Sequence, residues 1–202
     1  MGVFLQQVNK SFQIFCLWLL SCGDIGVGTK VQLTEEVFKP WFKYYKIIFE
    51  NEEKVVKVEP RPAIGYTTFM AFYIFYLANK TPNIKIAVIE KNKKILSLLQ
   101  ILDNLILDRF DYAALDSTKL SIGNKLVFSN GSIVKTFNPT TYNLKTMEEI
   151  EFVFFDYCEI KNLEKLNEDI YLALTSEEIK KMVLTITNDI STEFTEIKTK
   201  KI

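Results

Sequence analysis

At 202 residues the chain suits a single domain, with room for a small appendage. Its 25 basic and 25 acidic side chains cancel, so nothing global points to nucleic acid, and a 48% hydrophobic content is enough to build a full core. There is no histidine, which excludes Ser-His-Asp and Cys-His catalysis and any His-liganded metal.

Residues 3–21 read as helix. The apolar run from Phe12 to Leu20 is too short to cross a membrane. Lys10 is the single basic residue before it, a poor flank for a signal peptide. Gln6 stands where an N-myristoylation signal on Gly2 needs Ser or Thr. Val8–Leu20 is therefore expected to be a buried or partner-facing helix, and no membrane association is expected. Cys16, Cys22 and Cys158 form no pattern and read as buried thiols in a reducing compartment. Gly23, Gly26 and Gly28 break the chain before Lys30-Val31-Gln32-Leu33 resumes it.

Trp41, Tyr44, Tyr45 and Ile48 recur at three and four, as on one face of a helix over 38–49, with Pro40 in its first turn. Lys39, Lys43 and Lys46 interleave with the rings. Two readings stay open: a core helix with lysines on its wet side, or a platform for stacking single-stranded bases. After a turn at Asn51-Glu52-Glu53, a strand over 54–58 enters the loop Glu59-Pro60-Arg61-Pro62-Ala63-Ile64-Gly65. An apolar helix over 66–79 leaves it. That is the strand–loop–helix layout of a P-loop, with Tyr66 where the phosphate-binding lysine belongs.

The run Ile84–Ile89 is apolar enough for a central parallel strand, and helix 92–108 follows with Ile95, Leu98, Leu99, Leu102, Leu105 and Ile106 at helical spacing. Two successive β-α units predict a parallel sheet with right-handed crossovers. Lys125–Phe128 and Ser132–Phe137 flank Ser129-Asn130-Gly131, which predicts a hairpin on a type I′ turn. Residues 138–149 read as loop. Phe152-Val153-Phe154-Phe155-Asp156 is a buried strand ending in an acid. A helix over about 161–173, a last core strand over 182–187 and a polar, peripheral tail complete the chain.

Taken in this order, the features resemble one family: the ATPase domain of the large terminase subunit of tailed bacteriophages, of the large-myophage type. The resemblance covers Gly28 to Asp189. It rests on Gly28-Thr29-Lys30-Val31-Gln32-Leu33, the aromatic helix 38–49, Gly65-Tyr66-Thr67-Thr68, the hairpin Phe128-Ser129-Asn130-Gly131-Ser132, the strand with Asp156, and Leu184-Thr185-Ile186-Thr187-Asn188. It implies a P-loop NTPase domain that drives DNA into a capsid. By the same resemblance Phe42 replaces the adenine-reading glutamine, Tyr66 the Walker A lysine, and Tyr157 the glutamate after the Walker B aspartate. The place of the family's P-loop arginine holds Pro62, with Arg61 one step back. Arg61, Gly65, Tyr66, Thr67, Thr68 and Asp156 then form a vestigial nucleotide site, in which Thr67 and Asp156 can hold Mg²⁺. Thr185 and Thr187 resemble the motif that couples hydrolysis to movement. Each has a plain structural alternative: threonines cap helices and suit strands, and an aspartate ending a strand holds a loop. Glu159, past the expected strand end, replaces the lost glutamate only if a loop returns it.

The expected fold class is α/β, a three-layer P-loop NTPase-like domain with a mainly parallel central sheet. Its expected parts are an N-terminal helical segment (1–27), the terminase ATPase-type domain (28–190) and a polar C-terminal tail (191–202), with no room for the family's nuclease domain. No catalytic residue and no cofactor are expected; ATP and Mg²⁺ belong here only if the site still functions. An oriented catalytic group is worth roughly 10²–10⁴ in rate, so losing lysine and glutamate together leaves turnover too slow for a motor. The expected role is structural or regulatory, through phage structural or packaging proteins, in the host cytoplasm or the virion. DNA as a partner stays open, as do a packaging ATPase with a noncanonical loop, a nucleic-acid-binding module on helix 38–49, and an unrelated α/β protein. Two structural expectations follow. The strand ending in Asp156 should lie beside the strand entering the loop, and Tyr66 should plug the site against Pro60, Pro62, Ile64 and Tyr157.

Overall fold

The computed structural model describes residues 2–21, 26–27, 29–30, 35–60, 65–99, 125–158, 162–186 and 198–201. The N-terminal helix is two helices, α1 (Gly2–Gln7) and α2 (Lys10–Ser21). Asn9 divides them. Its Oδ1 accepts the Phe12 N–H at 2.8 Å, an amide that a continuous helix would give to the carbonyl of residue 8. α2 buries Phe12, Phe15, Cys16 and Leu19 completely, and that burial pushes the Cys16 thiol up. A small antiparallel ladder, β1 (Gly26–Val27) with β2 (Thr29–Lys30), follows.

The aromatic helix, α3 (Glu35–Phe49), begins before its ring-bearing stretch, so Pro40 lies inside it and not in its first turn. Glu36 in that first turn suits the positive end of the helix dipole and lets the helix start early. Phe38, Trp41, Tyr44 and Ile48 are at most 1% exposed, while Lys39, Lys43 and Lys46 are exposed. α3 is thus a core helix with a wet lysine side, and its buried rings are closed to bases.

Seven strands form the main sheet: β3 (Val55–Glu59), β4 (Lys85–Glu90), β5 (Lys125–Val127), β6 (Ile133–Phe137), β7 (Phe152–Cys158), β8 (Lys181–Ile186) and β9 (Lys198–Lys201). Their order is β5-β6-β4-β7-β8-β3-β9. Every neighbouring pair is parallel except β5 with β6. α4 (Tyr66–Lys80) links β3 to β4. The chain after β4 is helical at 94–99 (α5); the rest of the expected helix 92–108 lies outside the described residues. α6 (Leu163–Thr175) links β7 to β8.

Strand alternation sends side chains to two cores. Ile86, Val88, Phe154 and Val183 join α2, α3, α4 and α5 on one face. Ala87, Ile89, Val153 and Leu184 join α6 and the loop carrying Tyr142, Leu144 and Ile150 on the other. The result is a three-layer α/β domain with a mainly parallel sheet. α4 is apolar on nearly every side because it lies between the sheet and the outer helices: Phe69, Phe72, Ile74, Phe75 and Ala78 are all fully buried. Among the described residues no helix is long and apolar enough to cross a membrane.

Several expectations need correction. β7 does not border β3. β8 lies between them, pairing Val56 with Val183 on one side and Asp156 with Thr185 on the other. Strand order follows from crossover geometry across the whole chain, which a local pattern does not carry. Lys198–Lys201, expected in a peripheral tail, adds to β3 as a parallel edge strand. An edge needs only backbone bonds, so its polar sequence leaves no strand pattern. The hairpin forms, but not on a type I′ turn, which needs positive φ twice. Only Gly131 has it, at 85°. The Gly131 N–H bonds the Phe128 carbonyl at 3.0 Å, a turn closed by a left-handed glycine bulge. Asn130 instead donates its side-chain amide to the Ala78 carbonyl at 2.8 Å, near the end of α4. α6 starts at Leu163 because Asn162 accepts the Lys165 N–H at 2.9 Å.

Candidate functional site

Gly65, just before α4, has a φ of 69° and a ψ of 29°, in the left-handed region. The left-handed φ favours glycine there, because a Cβ carries a steric penalty at that φ; the 3.4 Å it would keep from Trp41 Nε1 is ordinary contact. The Gly65 carbonyl accepts the Phe69 N–H at 2.8 Å, so the helix begins at Tyr66.

Tyr66 is 4% exposed. Its ring meets the edge of Tyr44 from α3, with centroids 4.9 Å apart at 71°. Its hydroxyl hydrogen-bonds Thr185 Oγ1 on β8 at 2.7 Å. Thr185 is itself 1% exposed. Neither partner is among those expected from sequence; Pro62 and Ile64 lie outside the described residues. One residue on, the Thr67 hydroxyl donates to Asp156 Oδ1 at 3.2 Å. Thr68 is half-buried and takes no part in these bonds.

Asp156 is flanked in register by Thr185 on β8 and by Glu90 on β4. Partners across a parallel pair share a face, so the two carboxylates lie side by side on neighbouring strands. Both are buried, Asp156 at 6% exposure and Glu90 at 3%. Burial pushes the Asp156 carboxyl up to about 6, against the pull of the Thr67 hydroxyl and the Lys94 charge. Burial also pushes Glu90 up to about 6; its backbone hydrogen bonds oppose the shift and the Asp156 charge adds to it. Those bonds hold the start of α5, where Glu90 accepts the Ile95 N–H at 2.8 Å and the Leu96 N–H at 3.4 Å.

The structure therefore brings Gly65, Tyr66, Thr67, Asp156 and Thr185 to one sheet edge. Arg61, Glu159 and Thr187 lie outside the described residues, and of Tyr157 only the backbone, in β7, is described. Phe42 is not at this edge. It packs against Phe12 at 5.0 Å and Phe4 at 6.2 Å, and the α3 residues turned to the site are Trp41 and Tyr44. Sequence reasoning ends the β4 strand at Ile89 and so misses Glu90. The available signal is an acid closing an apolar run, as Asp156 does.

Thr67 and Asp156 offer one hydroxyl and one carboxylate. That suffices for Mg²⁺ only when phosphate oxygens supply much of the coordination sphere. Among the described residues no group of three or more carboxylate, thiol or imidazole side chains could hold a metal alone. The two donors thus fit a metal that arrives with a nucleotide, not one held by the protein.

No protein-family model matches the chain, and no curated protein matches it. Among solved structures, the large terminase from a thermophilic bacteriophage is similar to it at 12% identity and a TM-score of 0.45. The likeness covers 77% of this chain and 39% of that one, so the chain spans about two fifths of the terminase's length.

Proposed function

We propose that this chain is a terminase-ATPase-like domain whose nucleotide site is occupied by its own tyrosine. It acts through protein contacts in a phage particle or packaging machine, not by hydrolysis. The observation that carries the reading is the place of Tyr66. At the first position of the helix after the loop, a P-loop lysine would reach phosphate; here the side chain is buried and bonded to Thr185. A lysine at that position neutralises β/γ-phosphate charge. A neutral phenol committed to a strand hydroxyl offers no cation. The resemblance in the order of motifs supports the terminase part of the reading.

The Thr67–Asp156 bond favours a second reading, a packaging ATPase that takes its cation from elsewhere, because this pair is the protein's share of a nucleotide-bound Mg²⁺. One assay separates the two. Purified protein with ATP and Mg²⁺ is expected to release phosphate no faster than buffer. A Mg²⁺-dependent turnover that Asp156→Ala abolishes would overturn the first reading in favour of the second.

A further inference from the structure

On the α6 side of the sheet, away from Tyr66, strands β5 and β6 leave an open groove of ≈ 370 Å³ against the loop between β6 and β7. Lys125, Lys135 and Lys85 line it, and Ile133, Phe137 and Met147 form an apolar floor. Lys125 and Lys135 are directly opposite in the antiparallel register. Like charges in that position repel and cost stability. Lys85, on the next strand, starts at the level of Ile133.

Lysine on an edge strand has a familiar use, keeping the edge from pairing with other chains. That accounts for Lys125, on the edge strand β5. It does not account for Lys135, which lies on the interior strand β6, opposite Lys125. Lys85 is tied to Glu149. Among the described residues neither Lys125 nor Lys135 has an acidic partner, and Lys135 lies 5.0 Å over the Phe137 ring. Lys135 is exposed, and Phe137, Ile133 and Met147 are only half-buried.

We propose that this groove docks an acidic peptide segment of a partner protein, with aromatic or aliphatic anchors on the floor and carboxylates on Lys125 and Lys135. Charge complementarity selects the acidic partner. One feature selects peptide over nucleic acid: the apolar floor calls for apolar anchors, while Glu148 on the rim opposes carboxylate and phosphate alike and leaves Lys125 and Lys135 to carry the attraction. The inference holds whether or not the loop before α4 binds nucleotide.

The test is fluorescence anisotropy of the full chain with a short fluorescein-labelled peptide of alternating glutamate and phenylalanine, beside a labelled oligothymidine. The peptide should bind, bind more weakly as salt rises, and lose about tenfold or more in affinity to the double variant Lys125→Glu, Lys135→Glu. Phe137→Ala should weaken it several-fold. Should the double variant fail to fold by circular dichroism, Lys135→Gln replaces it, with a smaller loss expected. No binding of the peptide, equal binding by the charge variant, or tighter binding of the oligothymidine would each overturn the proposal.

Discussion

On the α4 face, the carboxyl edge of the sheet satisfies itself. Tyr66 bonds Thr185, Thr67 bonds Asp156, and Glu90 takes the first amides of α5. On the α6 face, α6 packs over β8 and β3, while β5 and β6 keep Lys125, Lys135 and Phe137 half or fully in water. The difference separates two uses of one scaffold. On the α4 face the polar groups at the strand ends are bonded to one another. On the α6 face, the described residues leave the β5–β6 region open and charged. A self-satisfied edge contributes to stability, and an open one is available for contact. This contrast can be broken by experiment.

The largest effect belongs to Tyr66. Tyr66→Ala removes a buried ring from its contact with Tyr44 and leaves the Thr185 hydroxyl without its partner. Large-to-small aromatic substitutions in cores cost about 3–5 kcal/mol, so calorimetry should show a clear fall in melting temperature. Tyr66→Phe should cost about 1 kcal/mol, the net worth of one hydrogen bond. An unchanged melting temperature for Tyr66→Ala would mean that the edge is not sealed by this residue.

The next effect is a gain. Asp156 is held near 6 in the folded chain, above the ordinary aspartate value of 3.8. The folded state therefore binds more protons than the unfolded one between about pH 4 and 6, and stability falls as pH rises through that window. Glu90 acts in the same direction. Asp156→Asn keeps an acceptor for Thr67 and removes the buried charge. It should raise stability at pH 7.5 by on the order of 2 kcal/mol and give no gain below about pH 4. Chemical denaturation at the two pH values measures this. A loss at pH 7.5 would show that the carboxylate is held for a cation outside the bonds seen here.

The smallest effect concerns Gly65. Gly65→Ala places a Cβ at φ 69° and near Trp41 Nε1. A left-handed residue with a side chain costs about 1–2 kcal/mol. A stabilised variant would show that the loop adopts another backbone path in solution.

Much of the fold is legible in the sequence because burial imposes a pattern. The runs Ile84–Ile89 and Phe152–Asp156 have to be apolar to stand inside a parallel sheet, and α4 has to be apolar all round. Where no burial is needed there is no pattern: β9 is built from Lys198-Thr199-Lys200-Lys201 and is held to β3 by backbone pairing. Strand order is also hidden, since nothing in Met182–Ile186 says that it lies between β3 and β7. The site is legible where a motif fixes position, as for Gly65, Tyr66 and Thr67. It is not legible where three-dimensional contact decides, as for Tyr44 and Thr185, or where a helix face has to be assigned, as for Phe42.

The pairing of β4 with β7 has one further consequence, for how the chain folds. Ile86 meets Phe152 and Glu90 meets Asp156, residues more than sixty positions apart. β8 meets β3 by a still more distant join, Val56 to Val183. Each such contact requires a long loop to close before any strand bond repays it, and chains dominated by such contacts fold slowly for their size. The two carboxylates can therefore come side by side only once a loop of more than sixty residues has closed.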